Sequence, residues 1–158
     1  MKIVVSADQR TRLVDALLEE LQSRGHEIDF RGPEKGAEGD WPLVTLEAAE
    51  RVARGEASEG IVLCWTGTGA TLVANKVPGI RAALCADAET ARGARLWNHA
   101  NVLGLSLRST SEPVMKEILE AWFSTPFSQD EWNRKQIDHV RQIEARYSAA
   151  RGTGKGAQ

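Results

Sequence analysis

Residues 61–76, IVLCWTGTGATLVANK, contain the pattern that decides the fold. A short run of β-branched and apolar residues ends at Cys64, a Thr-Gly-Thr-Gly turn follows, and the next residues fit the start of a helix. Gly67 and Gly69 allow the backbone to turn sharply and to approach a ligand closely. Backbone N–H groups at a helix start attract an anion or a developing oxyanion. The stretch therefore predicts a strand, a glycine loop and a helix, with a thiol at the carboxyl end of the strand.

The composition indicates one cytoplasmic domain. The 158 residues suffice for a single core, and we expect one domain over residues 1–149 and a disordered, polar tail over residues 150–158. The net charge of −2 gives no basic excess for nucleic acid or anionic lipid. No apolar run reaches the roughly 18–20 residues that span a bilayer, and a strand pattern follows Met1 directly. We expect no membrane segment, no signal peptide and no nucleic-acid partner.

The two cysteines, Cys64 and Cys85, each end a predicted strand. Their spacing matches no metal site, and two cysteines make no disulfide framework. We therefore expect both thiols to be reduced and at least one of them to be simply buried. We expect the protein to bind neither a metal nor another cofactor.

Strand and helix patterns alternate along the chain. They predict strands at 2–6, 26–30, 60–64, 80–85 and 101–106, and helices at 10–24, 43–54, from 68, at 88–97, from 112 and at 128–147. We expect Ser111 and Ser128 to cap the last two helices. Five β-α units in succession predict a three-layer, Rossmann-like α/β fold, in which a five-stranded parallel sheet has helices on both faces.

Parallel sheets of this kind bind ligands at the carboxyl ends of their strands. We expect this rule to bring together Asp8, residues 64–69, Asp87 and the residues around Asn98. The last helix has no strand of its own to cover, so we expect it to pack against a partner subunit.

Five segments, in this order, resemble the type B ribose-5-phosphate isomerase family, which also holds the galactose-6-phosphate isomerase subunits. They are MKIVVSAD (1–8), DWP (40–42), the Cys64 loop through Lys76 (64–76), GIRAALC (79–85) and NHANVL (98–103). The resemblance extends to about residue 147. It implies aldose–ketose isomerisation of a sugar phosphate through an enediolate, in a homodimer or a dimer of dimers whose sites combine residues from both subunits.

The same resemblance assigns roles to single residues. Cys64 would be the base that moves a proton between C1 and C2, because the glutamate that other members use is Ala70 here. Thr66 and Asn98 would complete the catalytic group. The implied substrate contacts are Asp8, Gln9, Trp41, Trp65, Gly67, Thr68, Gly69, Trp97, His99, Arg108 and Trp132.

The chain departs from the family pattern at this predicted site. Gln9 and Trp97 stand where the family has histidines, of which the second opens the sugar ring. Trp132 and Gln136 stand where two arginines clamp the phosphate, and Trp65 stands where members have a glycine. These replacements predict a site that is smaller, more apolar and less cationic. They leave open whether phosphate is required.

His99 follows Trp97 by two residues and has two interpretations. It either makes a structural contact or takes over the ring-opening role.

Two functions of different classes follow from these features. The first is a sugar-phosphate isomerase of altered specificity. A tetrose phosphate fits best, because it cannot close a furanose ring and needs no ring opening; ribose 5-phosphate and galactose 6-phosphate are the alternatives. The second is a non-catalytic subunit that requires a paralogous partner. A third function, that of a redox-sensing thiol protein, would rest on Cys64 alone.

Overall fold

A central parallel sheet organises the chain. The structure is a computed structural model that describes residues 1–152, and side chains within residues 1–148. Within this part of the chain the strands are β1 (Lys2–Ala7), β2 (Glu27–Arg31), β3 (Glu59–Cys64), β4 (Ala82–Leu84) and β5 (Val102–Ser106). The helices are α1 (Arg12–Ser23), α2 (Trp41–Ala53), α3 (Thr68–Ala74), α4 (Ala88–Leu96), α5 (Glu112–Ser124) and α6 (Glu131–Gly152).

The strands pair in the order β2-β1-β3-β5-β4, and every pair is parallel. The predicted three-layer α/β fold is therefore confirmed. β3 lies at the centre, and all of its residues are buried. Cys64 pairs in register with Ser106, and Gly60 pairs with Val102. Cys64 thus lies at the carboxyl ends of the strands, which we call the carboxyl edge of the sheet. Val102 lies at the amino ends of the strands, which we call the amino edge.

Alternation along the strands divides the core between the two faces of the sheet. In β3, Ile61 and Leu63 join the buried cluster formed with α1, α4 and α5. Val62 and Cys64 point the other way and join the cluster formed with α2 and α3. The Cys64 side chain therefore lies under the helix that its own loop begins.

Two element boundaries differ from the prediction, and one predicted cap is confirmed. α2 begins at Trp41, because Pro42 fits the first turn of a helix, where no N–H is needed. β4 has only three residues, and the Asn75 side chain bonds the backbone N–H and C=O of Ala82 at its start, at 2.9 and 2.8 Å. The cap predicted at Ser111 is confirmed, since its hydroxyl accepts the N–H of Val114 at 3.4 Å.

The start of α6 was predicted wrongly. Asp130, rather than Ser128, caps the helix, because its Oδ1 accepts the N–H of Asn133 at 2.9 Å. Ser128 instead donates its hydroxyl to the Asp130 carboxylate. The helix continues to Gly152, past its predicted end near residue 147. Residues 153–158 of the predicted tail lie outside the described residues.

None of the helices in the described part of the chain combines the length and apolar character that a bilayer span requires.

Candidate active site

Cys64 ends β3 and begins the glycine loop. Its side chain is 5% exposed. The Sγ atom accepts a hydrogen bond from the backbone N–H of Ala70 at 3.4 Å. A donor directed at sulfur stabilises negative charge on that atom, as a basic thiolate requires.

The two glycines of the loop allow close packing around Cys64. Gly67 has a φ of 76°, and a Cβ there would lie 2.8 Å from the Leu105 carbonyl oxygen. Only glycine fits both the left-handed conformation and this space. A Cβ on Gly69 would lie 3.0 Å from the Trp41 indole. The structure therefore places Trp41 directly against the loop.

Thr66 and Thr68 place hydroxyl groups at the rim of the same loop. Their Oγ1 atoms are 2.7 Å apart, and both residues are exposed. One hydroxyl donates to the other, which leaves a proton free to donate to an added oxygen. The pair can therefore donate to an oxygen that acquires negative charge nearby.

Asp8 follows β1 at the same edge of the sheet. Its Oδ1 is buried and has no hydrogen-bond partner within the described part of the chain. Burial is the main cause that raises the pKa of this carboxyl, with a contribution from the charge of Glu38. The neighbouring Gln9 donates to Glu38 at 3.2 Å. Asp8 therefore has an unused acceptor that a substrate hydroxyl would satisfy.

Trp65 and Arg108 also lie at this edge. The backbone N–H of Arg108 donates to the Trp65 carbonyl at 3.0 Å, and both side chains are exposed. Asp87 follows β4 and caps α4, since it accepts the N–H of Thr90 at 2.7 Å. We call the surface formed by Asp8 and Gln9, Trp41, Cys64–Gly69 and Arg108 the Cys64 edge.

Asn98 lies at the opposite edge of the sheet, so the expected gathering around it is wrong. It precedes β5, whereas Cys64 pairs with Ser106 at the end of β5. The four steps from Val102 to Ser106 span roughly 13 Å, and Asn98 lies further back along the chain. α4 runs antiparallel to the strands, so its C-terminal Trp97 is also at the amino edge. Within one chain, Asn98 therefore does not lie close to Cys64.

The His99 side chain is held in place by contacts within its own chain. The ring stacks on Phe127 at 4.7 Å, and Nε2 lies 3.0 Å from the Ser128 carbonyl oxygen. Its backbone has a φ of 49°, and its carbonyl accepts the Arg81 Nε–H at 2.8 Å. The geometry supports the structural interpretation of this residue.

Two open cavities border Asn98. The larger, of about 880 Å³, lies between α6 and the β4 region, and the smaller measures about 520 Å³. Trp97, Asn98 and Gln136 line both, and Trp132 lines the smaller. Cys64 lines neither. We call the surface formed by Trp97, Asn98, Trp132 and Gln136 the Asn98 edge.

A buried ion pair lies next to the Asn98 edge, and the sequence analysis did not predict it. Arg95 Nη2 lies 2.7 Å from Glu59 Oε1, and Trp122 Nε1 donates to the same carboxylate at 2.6 Å. Burial raises the pKa of Glu59 and lowers that of Arg95. Arg95 also donates to the Ala100 carbonyl at 2.7 Å. The pair thus fixes the turn that carries Asn98.

Cys85 differs from Cys64 in its environment. It is buried in the core, and this burial, together with the charge of Asp87, raises its pKa to about 12. Among the described residues no group of three or more His, Cys, Asp or Glu side chains is arranged for a metal ion.

We expect iodoacetamide to alkylate Cys64 before Cys85 in the folded protein. At pH 8 a thiol with a pKa near 12 is about one part in 10⁴ thiolate, which is the reactive form. Peptide mapping over time gives the order, and the denatured chain, in which both cysteines react, is the control. Faster labelling of Cys85 would contradict this assignment.

Comparison with known proteins places the chain in a family. A family model described as Ribose/Galactose Isomerase matches residues 3–140. Galactose-6-phosphate isomerase subunit LacB of Clostridium acetobutylicum is 35% identical over 79% of this chain and 72% of its own length. D-erythrulose-4-phosphate isomerase of Pectobacterium atrosepticum is 36% identical over 80% of this chain and 85% of its own. The ribose-5-phosphate isomerase B structure from Clostridium thermocellum superposes with a TM-score of 0.88 at 35% identity, covering 93% of this chain and 99% of that one.

Proposed function

The chain belongs to the ribose/galactose isomerase family, and we propose that it is an aldose–ketose isomerase that acts on a small sugar phosphate with Cys64 as its base. The position of Cys64 carries this proposal. The thiol ends the central strand, lies inside a glycine loop and accepts a backbone N–H at 3.4 Å.

The reaction needs one proton carrier and one stabilised oxygen. The Cys64 thiolate removes the C2 proton of the aldose, and the electron pair of that C–H bond forms the enediolate. The thiol then returns the proton to C1 while a second proton moves from the C2 hydroxyl to the C1 oxygen, which gives the ketose. Thr66, Thr68 and the loop amides would donate to the charged oxygen, and Asp8 would accept a substrate hydroxyl.

The site is proposed to form between two copies of the chain. Asn98 lies at the amino edge of the sheet and cannot contribute to the Cys64 of its own chain. Both edges expose indoles, Trp41 and Trp65 on one and Trp97 and Trp132 on the other. Exposed apolar groups clustered in this way mark surfaces that a partner covers. A homodimer, alone or paired into a dimer of dimers, would bring the two edges together.

A tetrose phosphate is the substrate that best fits these residues. The Trp97 indole N–H only donates a hydrogen bond and cannot shuttle a proton to open a ring. A four-carbon sugar phosphate has no furanose form to open. The name of the Pectobacterium relative, a D-erythrulose-4-phosphate isomerase, supports the same substrate class.

Two alternatives stay open. Ribose 5-phosphate or galactose 6-phosphate would be the substrate if another group opens the ring. A non-catalytic role in a complex with a paralogous chain is suggested by the relative named as a LacB subunit. Purification of the chain alone separates these functions, because a heteromeric subunit would lack activity until its partner is added.

We expect kcat/KM to be higher for tetrose phosphates than for ribose 5-phosphate. The reason is that a cyclic pentose must open without an acid–base group at residue 97. A panel of tetrose, pentose and hexose phosphates, followed by NMR, tests this order. We also expect Trp97→His to improve turnover of ribose 5-phosphate relative to tetrose phosphates, and Trp97→Phe is the control that should not. Efficient ribose 5-phosphate turnover without tetrose activity would refute the tetrose assignment.

A further inference from the structure

Arg95 joins the start of β3 to the turn that carries Asn98. Its Nη2 lies 2.7 Å from Glu59 Oε1, and its Nη1 donates to the Ala100 carbonyl at 2.7 Å. Ala100 follows Asn98 by two residues. One guanidinium makes both contacts at once because its N–H groups form a rigid fork. Arg95 therefore holds the turn at a set distance from the central strand.

A row of planar side chains continues from Arg95 into the connection between α5 and α6. The Cζ atom of Arg95 lies 4.9 Å from the centre of the Trp122 ring and 4.4 Å from that of the Phe127 ring. The His99 ring stacks on Phe127 at 4.7 Å, and its Nε2 lies 3.0 Å from the Ser128 carbonyl oxygen. Cation–π contacts and ring stacking stabilise such a row. The row thus joins the turn after α4 to the segment that leads into α6.

Asn98 is exposed, whereas the two residues that follow it are buried. His99 has a φ of 49°, a conformation that residues other than glycine keep only where their surroundings hold them in it. The contacts of Arg95 and Phe127 supply that constraint. The turn therefore presents a polar side chain to the surface from a fixed backbone.

Stability alone does not account for the buried ion pair. The side chains of Glu59 and Arg95 are both 11% exposed. Burial is the main cause that raises the pKa of Glu59 and lowers that of Arg95, so it opposes both charges. The attraction between two buried charges roughly offsets their loss of hydration, and apolar side chains of the same size are often as stable. Apolar side chains would not supply the directed hydrogen bond to Ala100.

We propose that Arg95, held by Glu59, is a positioning residue that fixes the turn from which Asn98 meets the Cys64 edge of the partner subunit. The inference rests on the proposed function for the composite site. Its consequence is that a change at Arg95 impairs the site that contains the partner's Cys64 and spares the site that contains the Cys64 of its own chain.

Glu59→Gln and Arg95→Met on one chain, together called the Arg95 variant, remove both charges and keep the side-chain lengths. The glutamine retains an acceptor for the Trp122 N–H, while the Ala100 carbonyl loses its donor. We expect the melting temperature to change by less than about 4 °C, because neutral replacement of a buried pair alters stability little. We expect kcat/KM to fall at least about tenfold, since a small displacement of a positioned group has effects of that size.

Mixed dimers separate positioning from general damage to the subunit. With a Cys64→Ala chain, the Arg95 variant offers its own Cys64 to an unmodified Asn98 edge, so about half of the unmodified activity should return. With an Asn98→Ala chain, neither site has a functional Asn98 edge, and activity should stay at about a twentieth or less. General damage would give the same low activity in both mixed dimers. Equal activity in the two would therefore overturn the inference.

A second variant and a control use other contacts of the chain. Phe127→Leu removes the ring between Arg95 and His99 without a change of charge. It should lower kcat/KM at least about threefold and sort between the mixed dimers in the same way, even if the Arg95 variant fails to fold. Glu20→Gln with Arg24→Met is the control, because this ion pair of 2.8 Å on α1 belongs to neither edge. Its activity should stay within about threefold of the unmodified value.

Amide hydrogen exchange tests the same inference without a substrate. Exchange at residues 97–101 should rise at least about tenfold in the Arg95 variant, while the loop at residues 64–70 keeps its rate. If the unmodified protein isomerises no sugar, the proposed function fails, and the exchange rates still decide whether Arg95 fixes the turn. Unchanged exchange at residues 97–101, or full activity of the Arg95 and Phe127→Leu variants, would overturn the inference.

Discussion

Replacement of Cys64 by alanine is expected to lower kcat by at least about a hundredfold, since a positioned base contributes on the order of 10²–10⁴. Alanine removes the sulfur and leaves the Ala70 N–H without its acceptor, while the loop retains the backbone bond from Gly67 N–H to the Cys64 carbonyl at 3.1 Å. The loss should therefore appear in kcat, with a smaller change in KM. The assay is proton exchange from solvent into the product, followed by NMR.

Cys85→Ala is the matched control, because it makes the same substitution at the other buried thiol. Cys85 packs in the core cluster on the opposite face of the sheet from Cys64. We expect kcat to stay within about threefold of the unmodified value, at some cost in stability from the small cavity. Thermal unfolding of both variants excludes misfolding as the cause. A Cys64→Ala protein that kept more than about a tenth of its activity would show that another group is the base.

Much of the fold is predictable from the sequence because local patterns mark the strands and turns. β3 is buried along its whole length, so it appears as a continuous apolar run that ends at Cys64. Gly67 adopts a φ of 76° that favours glycine, and this marks the turn into α3. Local preferences of this kind act within a few residues. The loop from Cys64 to Gly69 follows from them almost completely, whereas Asp8 and Arg108 join it through the order of the strands.

The Asn98 edge was misplaced because the carboxyl-end rule applies to residues that follow a strand. Asn98 precedes β5, and its distance from Cys64 depends on the register of β3 with β5 rather than on local sequence. The Glu59–Arg95 pair joins residues far apart in the chain through the packing of α4, and no periodicity indicates it. Prediction of the α6 cap requires a choice between Ser128 and Asp130. Both are acceptable cap residues, and only the path of the chain distinguishes them.

A heterodimer of Cys64→Ala and Asn98→Ala chains is expected to regain about half of the unmodified activity, because in a two-fold dimer one of its two composite sites would be intact. Each single variant alone should be inactive or nearly so, since Cys64 is the proposed base and Asn98 is proposed to belong to the same catalytic group. Two affinity tags on co-expressed chains allow purification of the mixed dimer. Light scattering at micromolar concentration confirms the assembly on which the experiment depends, and a monomeric mass would refute it.

The decisive control places both substitutions on one chain and pairs it with an unmodified chain. If each site combines the Cys64 edge of one subunit with the Asn98 edge of its partner, every site of this dimer carries one substitution, and activity is lost. If each site lies within a single chain, the unmodified chain keeps its own site and about half of the activity remains. The two mixed dimers therefore give opposite results under the two architectures, with identical composition. The sheet register places Cys64 and Asn98 at opposite edges, so we expect activity from the first dimer and none from the second.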